Sequence, residues 1–305
     1  MSSVAYRNFF AMGTRVDIIL PESDDESADS VCLLLQNELR RIENDISIYI
    51  PESEFSRINN TAFVKPVIAG KEVFNLLQRL IVLSGETNDY FNFTLGKITH
   101  RKMDETSSQH DNEEQQVIAG KTVAGNISLN PEESSVMLSS EHISLDSGGF
   151  GKGFGLDQVK KVMNNTKFNS YFVSFGESSV LAQGTHPYGD TWKTGIRNIF
   201  KEDDYICCFN MKDEFLSVSG ITPQNIKKYG KGHIVNPATG KPVTELLHVA
   251  VKGQEGLTTE VLSTALMVAP DDARNSIMNN FPDYSAVIYK YDTGSNKPEI
   301  LHSIN

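Results

Sequence analysis

The sequence has little from which to build covalent anchors. Its 305 residues include only three cysteines, Cys32, Cys207 and Cys208. An odd count with two neighbours offers no disulfide framework and no zinc-ligand spacing, so reduced thiols in a reducing compartment are expected. No run of about 20 mostly apolar residues is present, so no stable membrane insertion is expected. Positive charge is scarce: 28 Lys and Arg stand against 39 Asp and Glu, a net charge of −11. That balance lacks the footprint of a generic nucleic-acid binder, and an anionic membrane surface repels it. It does not forbid a local phosphate site, because charge is screened within about 8 Å at physiological salt. The opening Met1-Ser2-Ser3-Val4-Ala5-Tyr6-Arg7 lacks a basic-then-apolar pattern, and a cytoplasmic location is expected. Short-period repeats and low-complexity segments are also missing. What remains, 39% hydrophobic and 22% charged residues, is ordinary globular composition.

The periodicities point to mixed secondary structure. Thr14–Leu20 reads as a strand ended by Pro21. Asp24-Asp25-Glu26 suits a helix N-terminus, and Val31, Leu35, Leu39, Ile42 and Ile46 recur at helical steps. After a turn at Ile50–Ser53, a second helix carries Val73, Leu76, Leu77, Leu80 and Leu83. The polar stretch 100–116 is expected to be an exposed, mobile loop. Strand-like runs follow at Tyr171–Phe175, Ser179–Ala182, Tyr205–Met211, Phe215–Ser219, Leu247–Lys252 and Ala286–Tyr291. A helix over Thr258–Val268 separates two of them, and Pro270-Asp271-Asp272 opens another. One compact α and β domain spanning residues 1–305, with most strands in the second half, is expected.

Three segments carry candidate chemistry. In Asp146-Ser147-Gly148-Gly149-Phe150-Gly151-Lys152-Gly153-Phe154-Gly155, five glycines fall within eight residues. Such a backbone can approach a ligand closely, the following helix start presents N–H groups to phosphate, and Lys152 adds a positive charge. The Walker A and dinucleotide GxGxxG registers both fail here. The same composition suits a turn that lets a helix pack on a sheet, and composition does not choose between the two. On the helix after Thr258, Glu260 and Thr264 share one face and offer hard oxygens suited to Mg²⁺. A surface Glu and a core-edge Thr are the commoner explanation of such a pair. His233, in Lys231-Gly232-His233-Ile234-Val235-Asn236-Pro237-Ala238-Thr239-Gly240, sits beside a turn where it can donate to phosphate or act as acid–base. A lone histidine is more often structural.

Together these segments resemble the FAD:protein FMN transferases, the ApbE-like flavin transferases. Phe10–Thr14 resembles the opening "MGT", and Ile46–Asn59 is similar to "lS-x-Y-x-x-x-Sel-s-r-l-N". Thr87–Gly96 resembles "T-x-G-x-FDpTvG", and Asp146–Asp157 matches "DLGGIAKGYAVD" almost position by position. Phe175–Ser179, Ser217–Gly220, His233–Gly240 and Glu260–Leu266 resemble "lGGn", "aTSG", "HIIDPrTG" and "DalaTAl".

The resemblance implies an α+β, T-fold-related architecture of mixed or antiparallel sheets flanked by helices. It implies Mg²⁺-dependent transfer of FMN from FAD to a Thr or Ser hydroxyl of an acceptor protein, with AMP released. By the motif match, Met12, Tyr49, Tyr90, Phe91, Asn92, Asp146, Lys152, His233 and Ile234 contact the dinucleotide. Gly149 (through its carbonyl), Glu260, Ser263 and Thr264 are implied metal positions, and His233, Glu260 and Thr264 the catalytic set. No residue is identified as the base for the acceptor hydroxyl. The chain departs from the pattern at Glu260, which replaces Asp, at Asn92 and Asn236, which replace acids, and at Glu177, which replaces Gly. A metal-dependent FAD pyrophosphatase, a non-catalytic FAD-binding protein and an acidic interaction module are the alternative readings.

Overall fold

The computed structural model describes residues 4–99, 120–222, 234–292 and 297–304. The stretch 100–116 and His233 therefore lie outside the described residues. The architecture is α+β and built on antiparallel sheets. An eight-stranded sheet has the order β1-β2-β6-β7-β10-β11-β12-β13. Its strands are β1 (Val4–Ala11), β2 (Thr14–Pro21), β6 (Tyr171–Phe175), β7 (Ser179–Gln183), β10 (Glu214–Gly220), β11 (Leu247–Gly253), β12 (Ser285–Asp292) and β13 (Lys297–Ile304). A smaller sheet pairs β3 (Val67–Ile68), β5 (Ser135–Leu138) and β4 (Ile127–Asn130), and β8 (Trp192–Asn198) with β9 (Lys201–Met211) forms a hairpin.

Helices cover one face of the large sheet and the hairpin covers the middle of the other. Helix α1 (Asp25–Ile46) follows the expected spacing: Val31, Leu35, Leu39, Ile42 and Ile46 are all buried. Its N-cap is Asp24, whose side chain accepts from Ser27 N, satisfying one of the orphan N–H groups of the first turn. A short helix the periodicity did not reveal, α2 (Glu54–Thr61), is capped by Ser53. Then come α3 (Lys71–Glu86), α4 (Gly96–Thr99), α5 (Val123–Asn126), α6 (Gly151–Met163), α7 (Gly256–Val268) and α8 (Asp271–Asn279). Alternation divides the strands between cores: Leu181 and Phe215 pack with α1 and α6, while Val180, Ala182 and Leu216 face Trp192, Ile196 and Met211 of the hairpin.

Helices α6 and α7 meet almost backbone to backbone. A Cβ built on Gly153 would lie 2.2 Å from the Gly256 carbonyl oxygen and 2.8 Å from Glu260 Cβ. Asp157, one turn on, accepts from the Gly256 and Leu257 N–H groups at 2.7 and 2.8 Å. Its carboxylate thus takes two of the first N–H groups of α7. Burial pushes the Asp157 carboxyl up to about 7 against those two hydrogen bonds. Gly155, on the same helix, lies against Phe175 and Leu39. The glycines after Lys152 therefore serve helix packing.

The fold makes a paired prediction. Gly153→Ala forces the helices apart and should cost roughly 3 kcal/mol or more of unfolding free energy. Gly85→Ala in α3, where a Cβ meets nothing within 4 Å, should be neutral or stabilise by up to about 1 kcal/mol. Urea denaturation of both variants checks the pair.

Candidate active site

The glycine turn is tied down before α6 begins. Asp146 N donates to the Phe93 carbonyl at 2.8 Å, and Leu95 and Ser144 form a parallel bridge. Asn59 clamps the preceding residue, donating to the Leu145 carbonyl at 3.0 Å and accepting from Leu145 N at 2.7 Å. The Asp146 carboxylate accepts from Gly148 N at 2.9 Å and from the Thr99 hydroxyl at 2.7 Å. The turn that follows rests on Phe91: a Cβ on Gly149 would lie 3.3 Å from both the Phe91 ring and Thr264 Cγ2. Phe91 is buried, stacked with Phe93 and set edge-on to Phe150. Its ring supports the turn from below.

From this base the turn meets α7. The Thr264 hydroxyl donates to the Gly149 carbonyl at 3.3 Å. Lys152 Nζ lies 2.5 Å from Glu260 Oε1. Glu260 Oε2 accepts from the Ser179 hydroxyl of β7 at 2.8 Å. The Glu260 side chain is 5% exposed and that of Lys152 26%, so the surface-Glu reading is ruled out. Ser263 points elsewhere. Fully buried, its hydroxyl bonds the Ser217 and Ser219 hydroxyls of β10 at 3.0 and 2.8 Å and donates to the Glu260 carbonyl at 2.9 Å. The side chain of Ser263 is thus turned to the sheet, away from the Gly149–Thr264 contact.

Met12 also joins the group. The β1–β2 hairpin turns at Met12 and Gly13, both with positive φ (54° and 68°), the conformation that suits a tight two-residue hairpin turn. Met12 N donates to Glu43 Oε1 at 2.8 Å, and a Cβ on Gly151 would be 3.6 Å from Met12 Cε. Met12, Tyr90 and Ile234 are half-buried at the edge of one core. Tyr49, by contrast, is 79% exposed on the α1–α2 connection.

The substituted positions have local roles. Asn92 Oδ1 accepts from Thr94 N at 3.0 Å and from its hydroxyl at 2.6 Å, while Nδ2 donates to the Lys121 carbonyl at 3.3 Å. An aspartate could not make that last bond. Asn236 accepts from Ala238 N at 2.9 Å, an Asx turn. Glu177 has φ 66° and turns to Arg197, 2.9 Å away.

Sequence reasoning missed Asn59, Ser179, Ser217, Ser219 and Asp157 as individual contributors. All five lie in motif segments and are buried or half-buried; the signal was there, but their partners are distant in sequence.

Among the described residues no three His, Cys, Asp or Glu side chains gather as a metal cluster. The remaining donors are a carbonyl, a hydroxyl and one carboxylate, all hard oxygens. The 3.3 Å between Thr264 Oγ1 and the Gly149 oxygen is near the ~3 Å edge of an octahedron with bonds of about 2.1 Å. The Gly149–Thr264 pair fits the spacing of a Mg²⁺ shell, and Glu260, one turn earlier on the same helix as Thr264, offers a further hard oxygen. A separate cavity of about 600 Å³ is lined by Lys71, Arg79, Asp157, Lys160 and Glu255 among others, and includes none of the sequence-predicted site residues.

Fold and site together define an α+β protein that gathers a glycine turn, a lysine and hard-oxygen donors at one helix crossing. The ApbE family model matches residues 12–288, and the chain belongs to the ApbE family. A FAD:protein FMN transferase of Haemophilus influenzae is 23% identical over 290 residues, 89% of this chain and 83% of that protein. One from Buchnera aphidicola is 24% identical over 247 residues, 77% of this chain and 71% of that one. The solved flavin transferase ApbE from Vibrio cholerae superposes with a TM-score of 0.84 at 17% identity, covering 99% of this chain and 97% of its own. The Pseudomonas stutzeri flavinyl transferase ApbE, apo form, gives 0.81 at 20% identity, over 100% and 95%. Among the described residues no helix is long and apolar enough to cross a membrane.

The SVSG strand end supplies a pH prediction. His248 of β11 lies across Gly220, where a Cβ would be 2.1 Å from His248 Cδ2. Burial pushes its imidazole down to about 4. The unfolded chain then binds more protons between pH 6.5 and pH 4, so stability is lost as pH falls through that window, by about 3 kcal/mol at most. His248→Gln should flatten urea midpoints measured across it.

Proposed function

We propose that the chain transfers FMN from FAD to a Thr or Ser hydroxyl of an acceptor protein and releases AMP. The observation that carries this reading is the meeting of Gly149 and Thr264 beside the Lys152–Glu260 pair, in a chain of the ApbE family whose relatives include FAD:protein FMN transferases. The acceptor oxygen forms a bond to the FMN phosphorus, and the bond from that phosphorus to the bridging oxygen breaks. AMP departs with the electron pair, and the hydroxyl proton passes to a base. Little covalent work falls to the protein; positioning and charge neutralisation dominate such reactions.

Each residue has a share in that task. The N–H groups at the start of α6 face the diphosphate, and Lys152 places a positive charge beside it. Asp146 holds the turn in shape through Gly148 and Thr99. Met12, Tyr90 and Ile234 offer an apolar edge to the flavin, and Tyr49 an exposed ring able to stack on a flat one. Asn92 shapes the same rim. His233 binds phosphate or carries a proton. Gly149, Thr264 and Glu260 would hold Mg²⁺, which supplies neutralisation of charge on the diphosphate. Ser263 supports Glu260 through the helix backbone.

The test is incubation with FAD, Mg²⁺ and an acceptor bearing a small-residue–Ala–Thr segment. The acceptor should gain the mass of FMN, and AMP should appear in equal amount. EDTA and Glu260→Ala should each abolish both products while leaving the circular dichroism spectrum native. AMP without acceptor labelling indicates hydrolysis; FAD retained intact indicates a binding protein. His233→Ala should slow labelling. Asp146→Ala should weaken FAD binding about tenfold or more, and an unaltered fluorescence titration would remove the glycine turn from the site.

A further inference from the structure

The carboxylate assigned to the metal is already spoken for. Glu260 Oε1 is 2.5 Å from Lys152 Nζ, and Oε2 accepts from Ser179. The side chain is almost fully buried, so there is little open space around it. The backbone of Lys152 is anchored, because its neighbour Gly153 packs against Gly256, so its flexible side chain always starts within reach of Glu260. Among the described residues no three His, Cys, Asp or Glu side chains gather to offer a metal an alternative set of ligands.

We propose that Lys152 is an electrostatic gate that keeps the divalent site weak until a diphosphate arrives. The inference rests on the metal assignment above and deepens it. The Lys152–Glu260 pair is neutral as it stands. A divalent ion entering alone would leave two net positive charges in a half-buried place, with Lys152 repelling it at close range. A dinucleotide diphosphate brings negative charge that gives Lys152 a second partner and frees Glu260 for the metal. Metal and dinucleotide then load together, and neither holds the site firmly alone. In this role Lys152 is a positioning residue as well as a phosphate ligand.

The test uses Mn²⁺ alone, without dinucleotide, followed by calorimetry or by the EPR signal of free Mn²⁺. Lys152→Met should bind Mn²⁺ at least about tenfold more tightly than the unaltered protein, since a unit charge a few Å from a divalent ion is worth more than a decade of affinity even in a water-like dielectric. Lys152→Arg should stay as weak as the parent. Lys152→Gln, which keeps a donor to Glu260 without the charge and so guards against misfolding, should bind more tightly than the parent too. Neutral variants that bind no more tightly, while Glu260→Gln loses Mn²⁺, overturn the gate and leave the metal assignment standing. If the Lys152→Met, Glu260→Gln double variant keeps the tighter binding, the metal is not on Glu260 and both ideas fall.

Discussion

The contact between Gly153 and Gly256 sets how closely the helices carrying Lys152 and Glu260 approach each other. Two helices from different parts of the chain can approach this closely only where neither carries a Cβ. A Cβ on Gly153 would overlap the Gly256 carbonyl, and one on Gly256 would lie 2.5 Å from the Gly153 oxygen. At that spacing Lys152 reaches Glu260 and the Gly149 carbonyl reaches Thr264. A methyl group at Gly153 would push the helices apart and lengthen the Thr264–Gly149 contact, already at 3.3 Å.

Around this crossing the protein satisfies buried polar groups in layers. Asp157 accepts from the first N–H groups of α7 on one side. On the other, Ser179, Ser217 and Ser219 bring hydroxyls from β7 and β10 to Glu260 and Ser263. A carboxylate buried to this degree is tolerable only with such partners, because desolvation of an unpaired charge is costly. The sheet therefore does more than support the helices: its Ser179 hydroxyl bonds the Glu260 carboxylate, while Ser217 and Ser219 bond Ser263 on the same helix. The same pattern appears at the glycine turn, where Asn59, Asp146 and Asn92 each bond backbone N–H or C=O groups and Gly151 N, at the start of α6, donates to the Ser147 carbonyl.

Much of this was legible beforehand. Asp146–Asp157 stood out because five glycines with one lysine is an unusual local composition, and the strands from β6 onward announced themselves by β-branched and aromatic runs. Strands β1, β8 and β13 did not: Val4–Ala11 contains Arg7 and Asn8, Trp192–Asn198 holds Lys193, Gly195 and Arg197, and Lys297–Ile304 begins with Lys297 and Pro298. Pairing with β2, β9 and β12 decided those segments. Helix α2 is too short for a clear period, although Ser53 ahead of Glu54 is a fair capping signal. Asn92 and Asn236 drew attention as lost charges, yet in the fold both act on the backbone two residues on.

By itself, the sequence determined the longer helices, the core strands, the family resemblance and the inventory of oxygen and nitrogen donors, because these depend on local composition and spacing. Only the tertiary structure decided which donors meet. Glu260 is separated from Lys152 by 108 residues and from Ser179 by 81. Ser263 and Thr264 are neighbours in sequence, but a 100° step around α7 sends one hydroxyl into the sheet and the other to the glycine turn. That division follows from which face of the helix is buried, a property of packing that no short stretch of sequence contains.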